Sequence, residues 1–188
     1  MKKFIALLLA LCCIFVLCSC SLSYEYANRK TVDGVCYFFN KLNKTCFAAS
    51  FTWDGDLNNT EITIRDEVDG YKVTELGGYI GRGLPTPFCI VSDIQDDSNV
   101  NCKDSQTQNV IFTVHLGKNL KEFTNIDGIN DDIFVNRQNY SVFYKFQVSP
   151  DNKYFSTDDN GVLTFSKYSQ EALEGIRQFS SITDSITE

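Results

Sequence analysis

The chain has 188 residues, of which 43% are hydrophobic and 13% aromatic, and it contains only three prolines. This composition argues against a disordered chain and favours one packed, β-rich domain, or two small ones. The 24 acidic and 17 basic residues give a net charge of −7. Nucleic acid and anionic lipid are therefore unfavoured partners, because both require a basic face.

The N-terminus has the pattern of a secretory signal peptide. Lys2 and Lys3 precede an uninterrupted apolar run of 15 residues from Phe4 to Cys18. A helix that spans a membrane needs about 20 such residues. A retained membrane-spanning anchor is therefore the weaker alternative.

The end of the apolar run, Leu17-Cys18-Ser19-Cys20, resembles the lipobox of bacterial lipoproteins. The resemblance implies that residues 1–19 are removed and that Cys20 carries diacylglycerol, with its new amine acylated by a fatty acid such as palmitate. Without the two N-terminal lysines, 17 basic residues become 15 against 24 acidic ones, a net charge of −9. We therefore expect an extracytoplasmic protein anchored in the cell membrane, with a tether at residues 20–31.

Four cysteines follow the anchor, namely Cys36, Cys46, Cys89 and Cys102. An even number in an exported chain indicates two disulfides. Three connectivities are possible, and proximity in sequence favours Cys36–Cys46 with Cys89–Cys102. A zinc site is the alternative, but gaps of 9 and 12 residues lack the close pairs of zinc modules.

The alternation of apolar residues predicts a mainly β domain at residues 32–180, followed by a frayed tail at 181–188. "GVCYFF" and "TCFAASFTW" flank the turn formers "NKLNK", which predicts a β-hairpin. Cys36 and Cys46 face each other only if this turn has an odd number of residues, for instance three centred on Lys41.

Further along the chain, strands are expected near residues 62–64, 71–76, 111–116, 142–148 and 162–165. Residues 77–109 have the composition of a long loop. "SQEALEGIRQF" predicts a short helix that Ser169 caps, with Leu173 and Ile176 on one face.

Three stretches share one outline, in which an alternating strand, a polar turn and a second apolar stretch follow each other. They begin near Ile62, Phe112 and Phe146. "ITIRDEVDGYKVTELGGYI" and "VSPDNKYFSTDDNGVLTFSK" resemble segments of the BspA-like leucine-rich repeats of bacterial surface antigens, and "VIFTVHLGKNLKEF" matches more loosely. Separations of 50 and 34 residues exceed the 20 to 29 of ordinary leucine-rich repeats. The resemblance implies a short, degenerate repeat-like β domain, and a β-sandwich is the alternative.

Four aromatic residues are candidates for ligand binding, because flat aromatic faces suit sugar rings when they are exposed. They are Trp53, Tyr71, Tyr79 and Phe88. Aromatic side chains are also common core residues, and the core is the favoured interpretation.

No catalytic, metal or cofactor site is expected. His115 is the only histidine and has neither a nucleophile nor an orienting partner nearby in sequence. "STDDNG" resembles the middle of a calcium loop, but position 12 falls on Lys167, where such a loop needs a bidentate glutamate. Asp158 is therefore expected to be a turn former.

We therefore expect a non-enzymatic surface protein that recognises or adheres to a glycan or an extracellular protein, a role that the BspA-like resemblance implies. One alternative is an envelope enzyme, or an enzyme accessory, that uses Asp96, Asp97, Asp158 and Asp159. Another is a structural stub without a specific ligand, which would have no concave or aromatic-lined surface patch.

Overall fold

The computed structural model of the chain describes residues 28–80, 84–92, 107–129 and 132–178. The predictions for Cys20, Cys102, Asp96 and Asp97 lie outside these ranges. Within them the protein is mainly β, as expected. The strands are β1 (Arg29–Val32), β2 (Val35–Asn40), β3 (Thr45–Trp53), β4 (Glu61–Thr63), β5 (Glu67–Val68), β6 (Tyr71–Leu76), β7 (Gly78–Ile80), β8 (Leu84–Thr86), β9 (Cys89–Ser92), β10 (Gln108–Leu116), β11 (Glu122–Phe123), β12 (Ile133–Val135), β13 (Gln138–Val148), β14 (Phe155–Thr157) and β15 (Leu163–Phe165). A 3-10 turn covers Ile126–Gly128, and one α-helix, α1, covers Gln170–Glu174.

The predicted hairpin is formed by β2 and β3, and β1 adds a third antiparallel strand. Because β1 begins at Arg29, the last residues of the predicted tether, 20–31, belong to the sheet. The hairpin turn has four residues, 41–44, and pairs Asn40 with Thr45. The odd-numbered turn that would place Cys36 opposite Cys46 is therefore not formed.

The turn length decides where the cysteines lie. Cys46 is paired with Phe39, whereas Cys36 is paired with Ser50, three residues further along the ladder. Cys46 faces the main core, and Cys36 packs beside Phe38 on the opposite face of the sheet. The predicted Cys36–Cys46 disulfide is therefore wrong, and neither thiol is bonded to another cysteine of the described ranges. The partner proposed for Cys89, Cys102, lies outside the described residues.

Parallel pairing dominates the rest of the molecule. β10 pairs in parallel with β4 on one side and with β13 on the other, which aligns Ile62, Val114 and Phe146 in one row. β6 pairs in parallel with β3 and with β11, which places Leu76 opposite Phe123. The segments that resemble one another in sequence therefore stack in register. These parallel ladders do not fit the antiparallel β-sandwich that was the alternative fold.

The three stacked segments form three coils, each of which runs from the sheet of β4, β10 and β13 across a turn to a second strand. We name them coil 1 (β4 to β6), coil 2 (β10 to β11) and coil 3 (β13 to β14). The second strand of coil 3 begins at Phe155, whose ring centroid lies 5.1 Å from that of Phe123 in coil 2. One continuous apolar cluster fills the space between the two sides of the coils.

The segment predicted as a loop, residues 77–109, contains three strands, so that prediction is wrong over its described part. β7 and β8 form a small antiparallel hairpin, and β9 joins β3 in parallel. A second cluster of Phe38, Phe47 and Ala49 lies on the outer face of the β2–β3 sheet, and Ile80 of β7 packs on it. Gly78 permits this approach, because a Cβ there would lie 2.5 Å from the Phe47 ring.

The predicted C-terminal helix is confirmed as α1. The Ala172 N–H donates to the Ser169 hydroxyl at 3.2 Å, which is the expected N-cap. Leu173 and Ile176 are both buried in the main core. Within the described ranges, no helix is long and apolar enough to cross a bilayer.

Candidate functional site

Two of the four candidate aromatic residues are core residues. Trp53 and Phe88 are both fully buried. The Trp53 indole N–H donates to the backbone oxygen of Asp56 at 3.0 Å, and its ring packs edge-on against Phe112 and Tyr140. A carbohydrate platform that includes Trp53 and Phe88 is therefore excluded.

The other two aromatic residues reach the surface. Tyr71 is half-buried, with its ring 5.0 Å from that of Phe39 and the Lys44 ammonium 4.8 Å from its centroid. Tyr79 is 49% exposed on β7. Tyr79 alone among the four offers an open aromatic face.

His115 lies on the solvent side of the parallel sheet. Its Nε2 atom is 2.6 Å from Oε2 of Glu61 on the adjacent strand β4. This pair becomes an ion pair when the imidazole is protonated. Within the described residues His115 has no hydrogen bond to a serine, threonine or cysteine nucleophile, and the geometry fits a structural role on the sheet surface.

Asp158 shapes the turn between β14 and β15. Its Oδ1 accepts hydrogen bonds from the N–H groups of Asn160 at 2.9 Å and Val162 at 2.8 Å. Asp159 is exposed in the same turn. The turn-former interpretation of Asp158 fits these bonds. The other two acidic candidates, Asp96 and Asp97, lie outside the described residues.

Sequence reasoning missed a pocket that four lysines line, here called the lysine pocket. It has a volume of about 350 Å³ and is lined by Lys72, Thr74, Lys118, Asn119, Lys121, Asp151, Lys153 and Tyr154. Coil 1 contributes residues of β6, coil 2 contributes the turn between β10 and β11, and coil 3 contributes the turn after β13. The pocket therefore exists only because the three coils stack.

Asn152 holds the turns of coils 2 and 3 together. Its side-chain amide donates to the backbone oxygens of Gly117 at 2.7 Å and Leu120 at 2.8 Å. Its Oδ1 accepts from the N–H groups of Tyr154 at 2.8 Å and Phe155 at 2.9 Å. One side chain thus satisfies four backbone groups, and it fixes the turn of coil 3 against the turn of coil 2.

Asp66 connects the turns of coils 1 and 2 in a similar way. Its Oδ1 accepts from the Lys118 N–H at 2.6 Å, and its backbone oxygen accepts from the Asn119 side chain at 3.1 Å. The Lys121 N–H donates to the backbone oxygen of Thr74 at 2.9 Å. The backbone positions that carry the lysines are therefore held by hydrogen bonds between coils.

The lysine pocket is a positive region on an acidic molecule. All four lysines are exposed, and none takes part in the ion pairs found among the described residues. Asp151 is the one acidic residue in the pocket lining. Four positive charges against one negative charge make this a place where an anion is attracted.

Thr74 forms part of the pocket wall and is only 6% exposed. Its hydroxyl has no hydrogen-bond partner among the residues that the structure describes. A buried polar group without a partner is uncommon and destabilising. Thr74 is therefore a polar group that a ligand could satisfy.

A recurring lysine was the signal that could have revealed the pocket. "DGYKVTEL", "GKNLKEF" and "PDNKYF" each carry a lysine at the start of, or shortly before, the second strand of their coil. Once the three segments are aligned by their resemblance, these lysines fall in neighbouring places. The alignment predicts that they share one edge of the stack.

Comparisons with known proteins give no match for this chain. No family model fits the sequence, and no curated protein and no solved structure is significantly similar to it. The resemblance to the BspA-like repeats stays a prediction carried by the segments quoted above.

Proposed function

We propose that this protein is a lipid-anchored, non-enzymatic recognition module on a bacterial cell surface, which binds a glycan or an extracellular protein. The observation that carries the proposal is the in-register stack of Ile62, Val114 and Phe146, one from each segment with the BspA-like outline. Stacked coils form a stiff scaffold whose turns offer an extended binding surface. Adhesion is the role that the family resemblance implies.

The lysine pocket favours recognition over the structural stub, which would lack a concave surface patch. The enzyme alternative requires two carboxylates that converge in a cleft. Asp158 is instead occupied by backbone N–H groups of its own turn. A charged, open pocket on a stiff scaffold suits binding without chemistry.

The anchor is tested by the substitution Cys20→Ala. We expect it to abolish incorporation of a labelled fatty acid and to release the protein from the membrane fraction. The control, Cys18→Ala, changes the tolerant position of the lipobox and should leave labelling and retention intact. Retention of Cys20→Ala at the wild-type level would mean that the apolar N-terminal segment is itself the anchor.

Recognition is tested by a binding screen of the full-length protein, purified in a neutral detergent, against glycans and extracellular matrix proteins. A saturable ligand is the expected result. Tyr79→Ala then tests whether the exposed tyrosine of β7 belongs to the binding face. Absence of binding across the whole panel would favour the structural stub.

A further inference from the structure

We propose that the lysine pocket binds an acidic glycan, with sulfate or carboxylate groups on the lysines and a sugar ring on Tyr154. This names the site and the ligand class of the recognition function proposed above, and it rests on that function. The proposal is drawn from the charges, the buried hydroxyl and the exposed ring that meet in this one pocket.

The distribution of charge selects the kind of anion. Lys72, Lys118, Lys121 and Lys153 concentrate positive charge within one pocket, whereas the whole chain has a net charge of −7. An extended polyphosphate or an anionic membrane is repelled by the net negative charge of the molecule, an effect that acts over distances of about 10 Å. A glycan with widely spaced charges can place one or two of them in the pocket, while few of its other charges lie against the acidic surface of the protein.

The neutral groups of the pocket favour a sugar over a bare inorganic anion. The buried Thr74 hydroxyl has no partner among the described residues, so a ligand oxygen would supply the missing hydrogen bond. The Asp151 carboxylate can accept hydrogen bonds from sugar hydroxyls. A sulfate ion has no hydrogen-bond donor and therefore offers Asp151 only repulsion.

Tyr154 supplies the apolar part of the site. Its side chain is 46% exposed and lines the pocket, and its N–H is held by the Asn152 side chain at 2.8 Å. An exposed aromatic face on a fixed backbone suits stacking against the C–H groups of a sugar ring. Adjacent Lys153 places a charge beside this face, which is the combination that an acidic sugar requires.

The test measures the affinity of the full-length protein in neutral detergent for four probes. They are a size-defined keratan sulfate oligosaccharide, whose charged groups are all sulfates, a hyaluronan oligosaccharide, whose charged groups are all carboxylates, a neutral maltooligosaccharide and a single-stranded DNA oligonucleotide. We expect at least one of the two acidic oligosaccharides to bind at 150 mM salt, and the neutral sugar and the DNA to bind at least about tenfold more weakly. The stronger of the two acidic probes identifies the anionic group as sulfate or carboxylate.

The double variant Lys72→Gln/Lys121→Gln removes two pocket charges. We expect affinity for the acidic oligosaccharide to fall at least about tenfold, because hydrogen bonds to charged groups are the stronger ones. The matched control, Lys41→Gln/Lys145→Gln, removes the same charge from two lysines outside the pocket and should change affinity less than about twofold. An equal loss in both variants would overturn the site, since net charge alone would then explain binding.

Two further variants test the neutral groups. Thr74→Val keeps the shape of the side chain and should weaken glycan binding several-fold without lowering the melting temperature, whereas a structural hydroxyl would lower it. Tyr154→Ala should weaken oligosaccharide binding and leave the affinity for inorganic sulfate unchanged. Unchanged glycan affinity in both variants would contradict a sugar-binding pocket.

The outcomes separate this inference from the proposed function. A ligand found in the matrix and glycan screen that ignores the lysine substitutions would leave the recognition function standing and overturn the pocket. Binding of DNA as tight as that of the acidic oligosaccharides, and lost in the same variant, would replace the glycan with a general polyanion. Absence of any ligand in either experiment would overturn both.

Discussion

Cys46 and Tyr37 are two ionisable side chains of the main core, and both are fully buried. Burial raises the pKa of the Cys46 thiol from 9.0 to about 12. Burial also raises the pKa of the Tyr37 hydroxyl from 10.0 to about 12, although the hydrogen bond from the Arg65 N–H acts in the opposite direction. The folded state therefore favours the neutral form of both side chains.

This difference predicts how stability depends on alkaline pH. Both pKa values are higher in the folded state, so the stabilisation is complete below about pH 9 and is lost as the pH rises towards 12. Each group contributes a slope of about 1.4 kcal/mol per pH unit between its unfolded and folded pKa. Urea unfolding at pH 8, 9.5, 10.5 and 11.5 measures the decline.

The variant Cys46→Ala provides the control for the pH experiment. We expect its stability to be lower than wild type at pH 8 and to decline less steeply than wild type between pH 9 and 10, where the Cys46 thiol begins to titrate. The slope that remains in the variant comes from Cys36, because burial raises the pKa of that thiol too. The same slope in Cys46→Ala and wild type would show that Cys46 does not titrate from a buried position.

At the scale of the element, the turns of the coils depend on a few polar side chains. Asn152 satisfies two backbone oxygens and two backbone N–H groups. The polar residues in this turn are thus structural as well as surface groups. The four hydrogen bonds of the Asn152 side chain explain how the turn between β13 and β14 keeps a fixed position outside the sheets.

Replacing Asn152 by alanine should destabilise the protein by about 2–4 kcal/mol, because four backbone groups, three of them in part-buried hydrogen bonds, lose their partner at once. Denaturant unfolding measures the change. The matched control is Asn109→Ala, which removes an exposed asparagine of β10 and should change stability by less than about 0.5 kcal/mol. A similar small effect in both variants would mean that solvent replaces the Asn152 contacts without cost.

At the scale of the whole molecule, the aromatic rings of different coils meet in one core. The Phe123 ring of coil 2 lies 5.9 Å from that of Phe146 and 5.1 Å from that of Phe155, both in coil 3. Phe123 is also paired with Leu76 of coil 1. A core shared in this way should make the described body unfold as one unit.

Replacing Phe123 by alanine should therefore cost about 3–5 kcal/mol and shift every unfolding signal together. The fluorescence of Trp53, at the end of β3 in the β2–β3 hairpin, and the far-UV circular dichroism should keep a common midpoint. Leu42→Ala, at a position that is 70% exposed, is the control and should leave stability within about 0.5 kcal/mol. Separate midpoints in Phe123→Ala would indicate that the β2–β3 hairpin unfolds independently of the coils.

Several parts of the fold could be predicted from the sequence because they depend on neighbours along the chain. Alternation identified β10 and β13, turn formers identified the β2–β3 hairpin, and a serine before an amphipathic stretch identified α1. The outline shared by three segments also indicated that they are related units, although not that they stack. These signals are local, so one sequence is enough to show them.

Other features were decided by contacts between distant segments. One residue more or less in a turn moves a side chain to the opposite face of a strand, which is why Cys36 and Cys46 lie apart. Aromatic composition does not distinguish a core ring such as Trp53 from an exposed one such as Tyr154. The strands β7 and β9, within residues 77–109, are short and are stabilised by contacts with the β2–β3 hairpin. Ile80 of β7 packs on its outer face, and β9 pairs with β3.

The sequence by itself determined the mainly β architecture, the hairpin and the capped helix, because periodicity, turn chemistry and capping act over a few residues. Only the tertiary structure decided which face each cysteine occupies and that Lys72, Lys121 and Lys153 share a pocket. Those lysines are separated by 49 and 32 positions in the chain. Their proximity follows from the register of the parallel coils, and that register is set by the packing of side chains in the common core.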